Sequence, residues 1–309
     1  MSRPVPGAKM RSRLRPATLA ALLAAGASTA GAQEGSADVE FRARALVGAY
    51  DNFFRVADPS QARTVRPWSA DGRLTLRRDG SLLAQVYAEA AYTRYGPLGK
   101  SVGGGAGLQL AGGGHDFWLH ARYFDDRPVF SVGDVVRAAD IFWAGADYTY
   151  SLSPSWEAGL EGQTVRVRFD SLPGNRSSSY RVGGKIRYRA LGGTVSPEAG
   201  GGIGWQRAEN AGQADVRAHF YFRLLTVPTP RLRATVRFRY RARNYTTAVS
   251  ESSNFGRLDE GGEWTLVAAL RATRHLGFEL HYQRLYMNST ARDRIFSTRT
   301  VTLGMALRF

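Results

Sequence analysis

Hydrophobic and polar residues alternate at every second position along most of the chain after Gln33. A period of two is the pattern of a β-strand that has one apolar face and one polar face. The alternating segments are about nine to twelve residues long, which is the length that a tilted strand needs to cross a membrane. The pattern therefore predicts an all-β chain of roughly fourteen strands, with twelve or sixteen as the alternative counts.

The connections between these segments are of two kinds. Tight turns, such as residues 78–80, alternate with longer connections at residues 51–65, 125–137 and 246–262. This arrangement is typical of a transmembrane antiparallel up-and-down β-barrel, in which an even strand number places both termini on the periplasmic side. A soluble β-sandwich, which shows similar alternation, is the alternative. The predicted strands are residues 38–50, 66–77, 81–93, 102–111, 116–124, 138–150, 156–169, 179–190, 198–206, 215–225, 231–245, 263–271, 276–286 and 295–309.

Residues 1–32 have the pattern of a secretory signal peptide. An apolar segment at residues 17–25 and small residues at 30–32 follow a basic start. We expect cleavage before Gln33 and a single barrel domain at residues 33–309. An N-terminal anchor helix is the alternative, although the apolar run is short for a bilayer. The basic residues of the start are Arg3, Lys9, Arg11, Arg13 and Arg15.

The last predicted strand ends on an aromatic residue, with apolar side chains at every second position and Thr302, Gly304, Ala306 and Arg308 between them. Bacterial outer-membrane β-barrels commonly end in such a strand, which their assembly machinery reads. The chain resembles this class of protein, and the resemblance implies an outer-membrane location in a Gram-negative bacterium. It also implies that outer-membrane lipid and the barrel assembly machinery are partners. The predicted terminal assembly signal comprises Val301, Leu303, Met305, Leu307 and Phe309.

The composition agrees with a barrel and excludes several other classes. No segment after Gln33 has the long uncharged apolar run of a transmembrane helix, and the mean hydropathy is −0.30. Because the chain has no cysteine, it has no lipoprotein anchor, disulfide, thiol chemistry or cysteine-based metal site. Aromatic residues near strand ends predict two girdles at the membrane interfaces. They are Tyr92, Tyr123, Tyr148, Tyr150, Trp156, Trp205, Tyr240, Trp264, Phe278 and Tyr282.

The positive charge is the sequence feature that bears on function. Five of the 42 basic residues and none of the 26 acidic residues precede Gln33, which leaves 37 basic against 26 acidic residues, a net charge of +11. A basic side chain that faced lipid at mid-bilayer would cost roughly 2–4 kcal/mol. We therefore expect the basic residues on the polar strand faces to line the lumen. They are Arg42, Arg44, Arg181, Lys185, Arg187, Arg189, Arg217, Arg223, Arg233, Arg237, Arg239, Arg241 and Arg243.

A lumen lined by arginine favours anions, because fixed positive potential and forked donors suit carboxylate and phosphate groups. We predict a porin-like channel for passive diffusion of small anionic solutes. One alternative is a barrel that exports an anionic polysaccharide or assists the assembly of a surface protein. Another is a structural barrel blocked by arginine–carboxylate ladders, for which Glu89, Glu157, Glu161 and Glu279 are candidates. Nucleic acid is not an expected partner, and no cofactor is predicted.

Catalysis has little support in the sequence. Neither a G-x-S-x-G nor an H-E-x-x-H motif is present. His120, His219 and His281 are candidates to face the lumen, whereas His115 and His275 fall in predicted periplasmic turns. Glycine runs near residues 103–107 and 200–204 lie inside strands with no following helix, so we interpret them as places where small side chains make room. We predict no enzyme, no catalytic residue and no metal site.

Overall fold

The fourteen strands found in the described part of the chain close into a single antiparallel barrel. A computed structural model describes residues 37–51, 64–132, 135–169, 176–210, 213–248, 250, 252 and 254–309. Each strand pairs with its neighbours in chain order, and the first strand pairs with the last. The predicted fold class and strand number are thereby confirmed. The predicted signal peptide, residues 1–32, lies outside the described residues, and the single domain at residues 33–309 remains a prediction.

The strands are 11 to 18 residues long. They are β1 (Ala37–Tyr50), β2 (Trp68–Arg78), β3 (Leu83–Arg94), β4 (Lys100–Gly112), β5 (His115–Val132), β6 (Val135–Ser151), β7 (Trp156–Arg168), β8 (Ser177–Tyr188), β9 (Val195–Ala208), β10 (Asp215–Thr229), β11 (Leu232–Tyr245), β12 (Leu258–Arg271), β13 (Leu276–Ser289) and β14 (Phe296–Arg308). Single 3-10 turns occupy Gly96–Leu98, Leu191–Gly193 and Arg292–Arg294. The described residues contain no helix that is long and apolar enough to cross a membrane.

The barrel closes where β1 meets β14. Their register aligns Arg42 with Arg308 and Val47 with Leu303. The backbones of Phe41 and Phe309 exchange hydrogen bonds of 3.0 and 2.9 Å, and their rings stack at 6.4 Å. This pairing closes the predicted barrel, and the backbone groups of both strands along this seam are satisfied by each other.

The turns at the end that holds both strand termini are short, and most connections at the other end are longer, with the β5–β6 hairpin as an exception. This asymmetry agrees with the periplasmic and extracellular ends of an outer-membrane barrel. The predicted connection at residues 246–262 is shorter in the structure, because β12 already begins at Leu258. The predicted connection at residues 51–65 falls largely outside the described residues.

The structure contradicts one predicted loop. The pattern predicts a long connection at residues 125–137, but β5 and β6 continue through this region as a paired hairpin. Two bulges interrupt the alternation of apolar and polar residues in β5, one between Phe124 and Arg127 and one just after Pro128. Asp126, in the first bulge, has a φ of 52°. A bulge inserts an unpaired residue and shifts the period of two, so the sequence pattern breaks although the strands continue.

The two faces of the wall differ in chemistry. Large apolar side chains on one face are exposed, as for Leu160 (65%) and Leu303 (56%). Aromatic pairs lie near both ends of this face, with Trp156 against Tyr188 beside a tight turn and Trp68 against Tyr92 at the long-loop end. An apolar band between aromatic rings matches the outside of a membrane barrel.

A pair of substitutions in β14 tests this assignment of faces. Leu303→Lys would place a charge in the apolar band, so we expect the unfolding free energy in a lipid bilayer to fall by roughly 2–4 kcal/mol. Thr302→Lys, one residue away on the opposite face, should cost much less. Denaturant titration of the folded barrel in vesicles measures both, and equal losses would show that the faces are assigned wrongly.

Candidate functional site

A row of four residues identifies the lumen face. Glu161 on β7 is aligned with Gly183 on β8, Gly202 on β9 and His219 on β10. The imidazole Nε2 of His219 lies 3.6 Å from the Oε1 of Glu161, although their strands are three spacings, roughly 14 Å, apart. Two side chains can meet over that distance only on the concave face, above glycines that carry no side chain. The polar face is therefore the lumen wall.

Buried carboxylates on this wall each contact two basic side chains. Glu198 lies 2.6 Å from Arg187 and 2.5 Å from Arg223. Glu157 lies 3.0 Å from Arg187 and also contacts Arg189. Both glutamates are almost fully buried. A buried charge is tolerated when it is paired and hydrogen-bonded, so these ladders fix the guanidinium groups against the wall.

The same sharing of acids continues along β10, β11 and β12. Asp215 and Glu263 are both buried, and each forms ion pairs with two arginines. The pairs are Asp215 with Arg217 (2.5 Å) and Arg243 (3.6 Å), and Glu263 with Arg237 (3.2 Å) and Arg241. One carboxylate for two guanidinium groups leaves a positive excess on this part of the wall.

Arg239 lies at the centre of that excess. Its neighbours in register are Glu263 on β12 and Tyr221 on β10, but Glu263 is already engaged by Arg237 and Arg241. Among the described residues Arg239 has no ion pair, and its buried Nε has no hydrogen-bond acceptor. Arg239 therefore lies between two paired arginines without a carboxylate of its own among the described residues.

The thirteen predicted basic residues divide into two groups. Arg233 and Arg239 have no ion pair with any described residue. The others contact at least one carboxylate, so a structural role applies to them whatever else they do. They are Arg42, Arg44, Arg181, Lys185, Arg187, Arg189, Arg217, Arg223, Arg237, Arg241 and Arg243.

The candidate ladder acids are all engaged. Glu157 belongs to the ladder with Arg187 and Arg189, and Glu161 lies 3.5 Å from Arg181. Glu279 contacts Arg42, and it lies 3.3 Å from both Arg44 and His281. Glu89 forms a further ladder, with two arginines that the sequence reasoning did not include.

That ladder joins Glu89 to Arg73 and Arg122, each at 2.5 Å. The guanidinium of Arg73 lies over the Tyr87 ring, 4.3 Å from its centroid. Both arginines occupy polar positions of alternating strands, so their spacing could have identified them. They strengthen the opposite side of the lumen wall.

The glycine run of β9 makes room for a large side chain. A Cβ at Gly200 would lie 2.7 Å from the ring of Tyr221, so the ring lies flat over this glycine. The hydroxyl of Tyr221 donates to Glu198 at 3.1 Å. The prediction that small residues make room inside these strands matches this contact, and the ring in turn helps to hold a ladder acid.

Three of the histidines, His120, His219 and His281, are part of the same polar wall. His120 stacks on Trp143 with ring centroids 4.3 Å apart, and its Nδ1 lies 4.0 Å from Asp147. His115 begins β5 beside a tight turn, and His275 lies in the turn before β13. The expectation of no enzymatic activity stays a prediction.

One group of described carboxylates is close enough to hold a metal ion. Ligand atoms of Asp125, Asp126 and Asp140 lie within 4.8 Å of one another at the long-loop end. Asp140 is already paired with Arg168 at 2.6 Å. The group therefore has an internal cation partner, and it lies on β5 and β6 away from the arginine-rich wall.

A cavity of about 240 Å³ lies at the long-loop end, between β1, β2, β3, β5 and β14. Its lining includes Tyr50, Tyr95 and Arg127. Tyr95 follows β3 and is buried, and burial raises the pKa of its hydroxyl above the usual value. The hydroxyl is therefore neutral at physiological pH, and it adds no negative charge to this entrance.

No protein-family model matches the chain, and no curated protein matches its sequence. Its structure is similar to an anion-selective porin from Comamonas acidovorans, with 11% identity, a TM-score of 0.48 and coverage of 89% of this chain and 100% of that one. Outer-membrane expressed OmpT of Vibrio cholerae is 10% identical, with a TM-score of 0.47 and coverage of 90% and 99%. Pseudomonas aeruginosa OprD is 10% identical, with a TM-score of 0.42 and coverage of 89% and 95%.

The contact between Gly200 and Tyr221 can be tested by adding one methyl group. Gly200→Ala should lower the unfolding free energy by about 1–3 kcal/mol, because the ring must shift to admit the new Cβ. Gly184→Ala is the matched control, since its Cβ would meet only an ordinary contact at 3.7 Å. Denaturation of both variants in detergent measures the difference.

Gly200→Ala in a Tyr221→Ala background completes a double-mutant cycle for this contact. There the added methyl group should cost little, because the ring is gone. If Gly200→Ala remains as costly without the ring, the close approach of Tyr221 is not the reason for glycine at this position.

Proposed function

We propose that this protein is an outer-membrane channel through which small solutes diffuse, with a preference for anions. The closed barrel supports the membrane location, because closure satisfies every inter-strand backbone group and the outer face is apolar. The strand number supports a channel, because barrels of eight strands fill their interior with side chains and larger ones leave more room.

The observation that carries the anion preference is the excess of guanidinium groups on the lumen face of β10 and β11. Three buried acids serve these two strands, namely Glu198, Asp215 and Glu263. Glu198 is also shared with Arg187 on β8. Arg239 has no ion pair within the described residues. The arginines of this wall are Arg217, Arg223, Arg233, Arg237, Arg239, Arg241 and Arg243.

These arginines would act on a permeating anion in two ways. Their summed potential raises the local concentration of anions in a confined, water-filled space. Arg239 then offers a planar fork of donors, which matches carboxylate and phosphate oxygens. Its flanking partners Arg237 and Arg241 are held by Glu263, so the donor array is already ordered when the anion arrives. Contact with several such groups in succession allows binding that is weak enough to release.

Ion selectivity in a planar bilayer tests this function. Under a salt gradient, the reversal potential of the wild-type channel should favour anions. Arg239→Gln should lower the anion-to-cation permeability ratio by up to about fivefold, since a unit charge at about 4 Å is worth about 1 kcal/mol in water. Arg237→Glu with Arg239→Glu should shift the preference toward cations.

Arg77→Gln is the matched control, because Arg77 pairs with Asp79 at the short-turn end and its loss should leave the ratio nearly unchanged. A folded barrel that carries no current would overturn the channel proposal. A conducting barrel whose selectivity does not respond to Arg239 would show that the lumen charge is structural only.

A further inference from the structure

Two rows of residues on the outer face repeat one arrangement. On β2, β3 and β4, Trp68 is directly opposite Arg94, which is directly opposite Lys100. On β12, β13 and β14, Trp264 is directly opposite Arg284, which is directly opposite Arg299. Each row thus places a tryptophan beside two adjacent cations.

Alternation places these cations outside the barrel rather than in the lumen. Arg284 is exposed and precedes Leu285, which is 2% exposed and faces inward. Lys100 is exposed and precedes the buried Ser101. The tryptophans of both rows are exposed on the same outer face.

One end of each row lies near the end of its strand, at Arg94 and at Arg299. Arg94 follows the outward Tyr92 near the end of β3, and Arg299 precedes the outward Val301 and Leu303 on β14. Both positions are at the long-loop end of the barrel. Tryptophan favours the headgroup level of a membrane, so in an outer membrane the cations beside it would lie near the outer-leaflet headgroups.

Two like charges directly opposite on neighbouring strands destabilise a sheet unless an anion lies between them. Within the described ranges, none of the four cations forms an ion pair. Asp51 follows Arg299 in the second row, but its carboxylate accepts the backbone N–H of Arg299. Among the described residues, the guanidinium and ammonium groups of the pairs Arg94–Lys100 and Arg284–Arg299 therefore have no carboxylate in ion-pair contact.

We propose that each pair binds a phosphate group of lipopolysaccharide in the outer leaflet. The acyl chains would pack on the apolar band, and the phosphate would receive charge-assisted hydrogen bonds from the two cations. The tryptophan ring of each row would face the sugar headgroup at the interface. This proposal depends on the outer-membrane location but not on conduction through the lumen.

Lipid binding to the full-length barrel in detergent tests the proposal. Native mass spectrometry should show that diphosphoryl lipid A binds roughly tenfold more tightly than fully dephosphorylated lipid A. Excess inorganic phosphate should not displace the lipid. Equal binding of the two lipids would overturn the proposal, and displacement by inorganic phosphate would indicate a soluble-anion site instead.

Two double variants locate the site. Arg94→Gln with Lys100→Gln and Arg284→Gln with Arg299→Gln should each weaken binding of diphosphoryl lipid A, and their combination should abolish the tenfold preference. Arg231→Gln with Arg274→Gln removes the same charge at the short-turn end and should leave the preference intact. A preference that survives the combined variant would refute the assignment.

The comparison of the two lipids on the wild-type chain needs no variant, so the test does not depend on folding of a mutant. Conductance of the same variants separates this proposal from the channel. If the wild type binds lipid but carries no current, the channel proposal fails and this one stands. If it conducts but shows no preference for phosphorylated lipid, the reverse holds.

Discussion

The structure depends on the pairing of β1 with β14. A sheet in lipid cannot leave an edge unpaired, because each unsatisfied backbone group costs several kcal/mol where no water can replace the partner. Closing the sheet removes both edges at once. The exchange of backbone hydrogen bonds between Phe41 and Phe309 extends this closure to the last residue of the chain. All other features of the wall presuppose the closed ring.

Closure gives the two faces opposite requirements. The outside must be apolar between the interfaces, and the inside can hold charge because it has other side chains or water as partners. The lumen wall meets this requirement by sharing each buried acid between two arginines, as Glu198 and Glu263 do. The sharing leaves the wall positive overall while its individual groups remain ordered. Structural ladders and a positive lumen are therefore compatible in one wall, although the sequence presents them as competing alternatives.

The outer face also carries positive charge, close to the long-loop end. There the cations of the Trp68 and Trp264 rows have no carboxylates in ion-pair contact. Most of the inner cations are fixed by acids of the chain itself, whereas the outer ones would take their anion from the surroundings. The lumen wall and the outer face therefore differ in which group supplies the negative charge opposite each cation.

The sequence by itself determined the class of fold, a count of about fourteen strands and the two faces of the alternating segments. A period of two is a local property, so it can be read without knowing which strands meet. Its clearest failure is the β5–β6 hairpin, where bulges beside Asp126 break the period while pairing continues. Which charges meet is a different matter. The contact of His219 with Glu161 across two glycines, the sharing of Glu263 and the isolation of Arg239 between paired neighbours depend on register and on curvature. The same holds for the alignment of Trp264, Arg284 and Arg299 on three strands. These are relations between distant parts of the chain, and only the closed tertiary structure decided them, because a strand's own sequence does not fix the register of its neighbours.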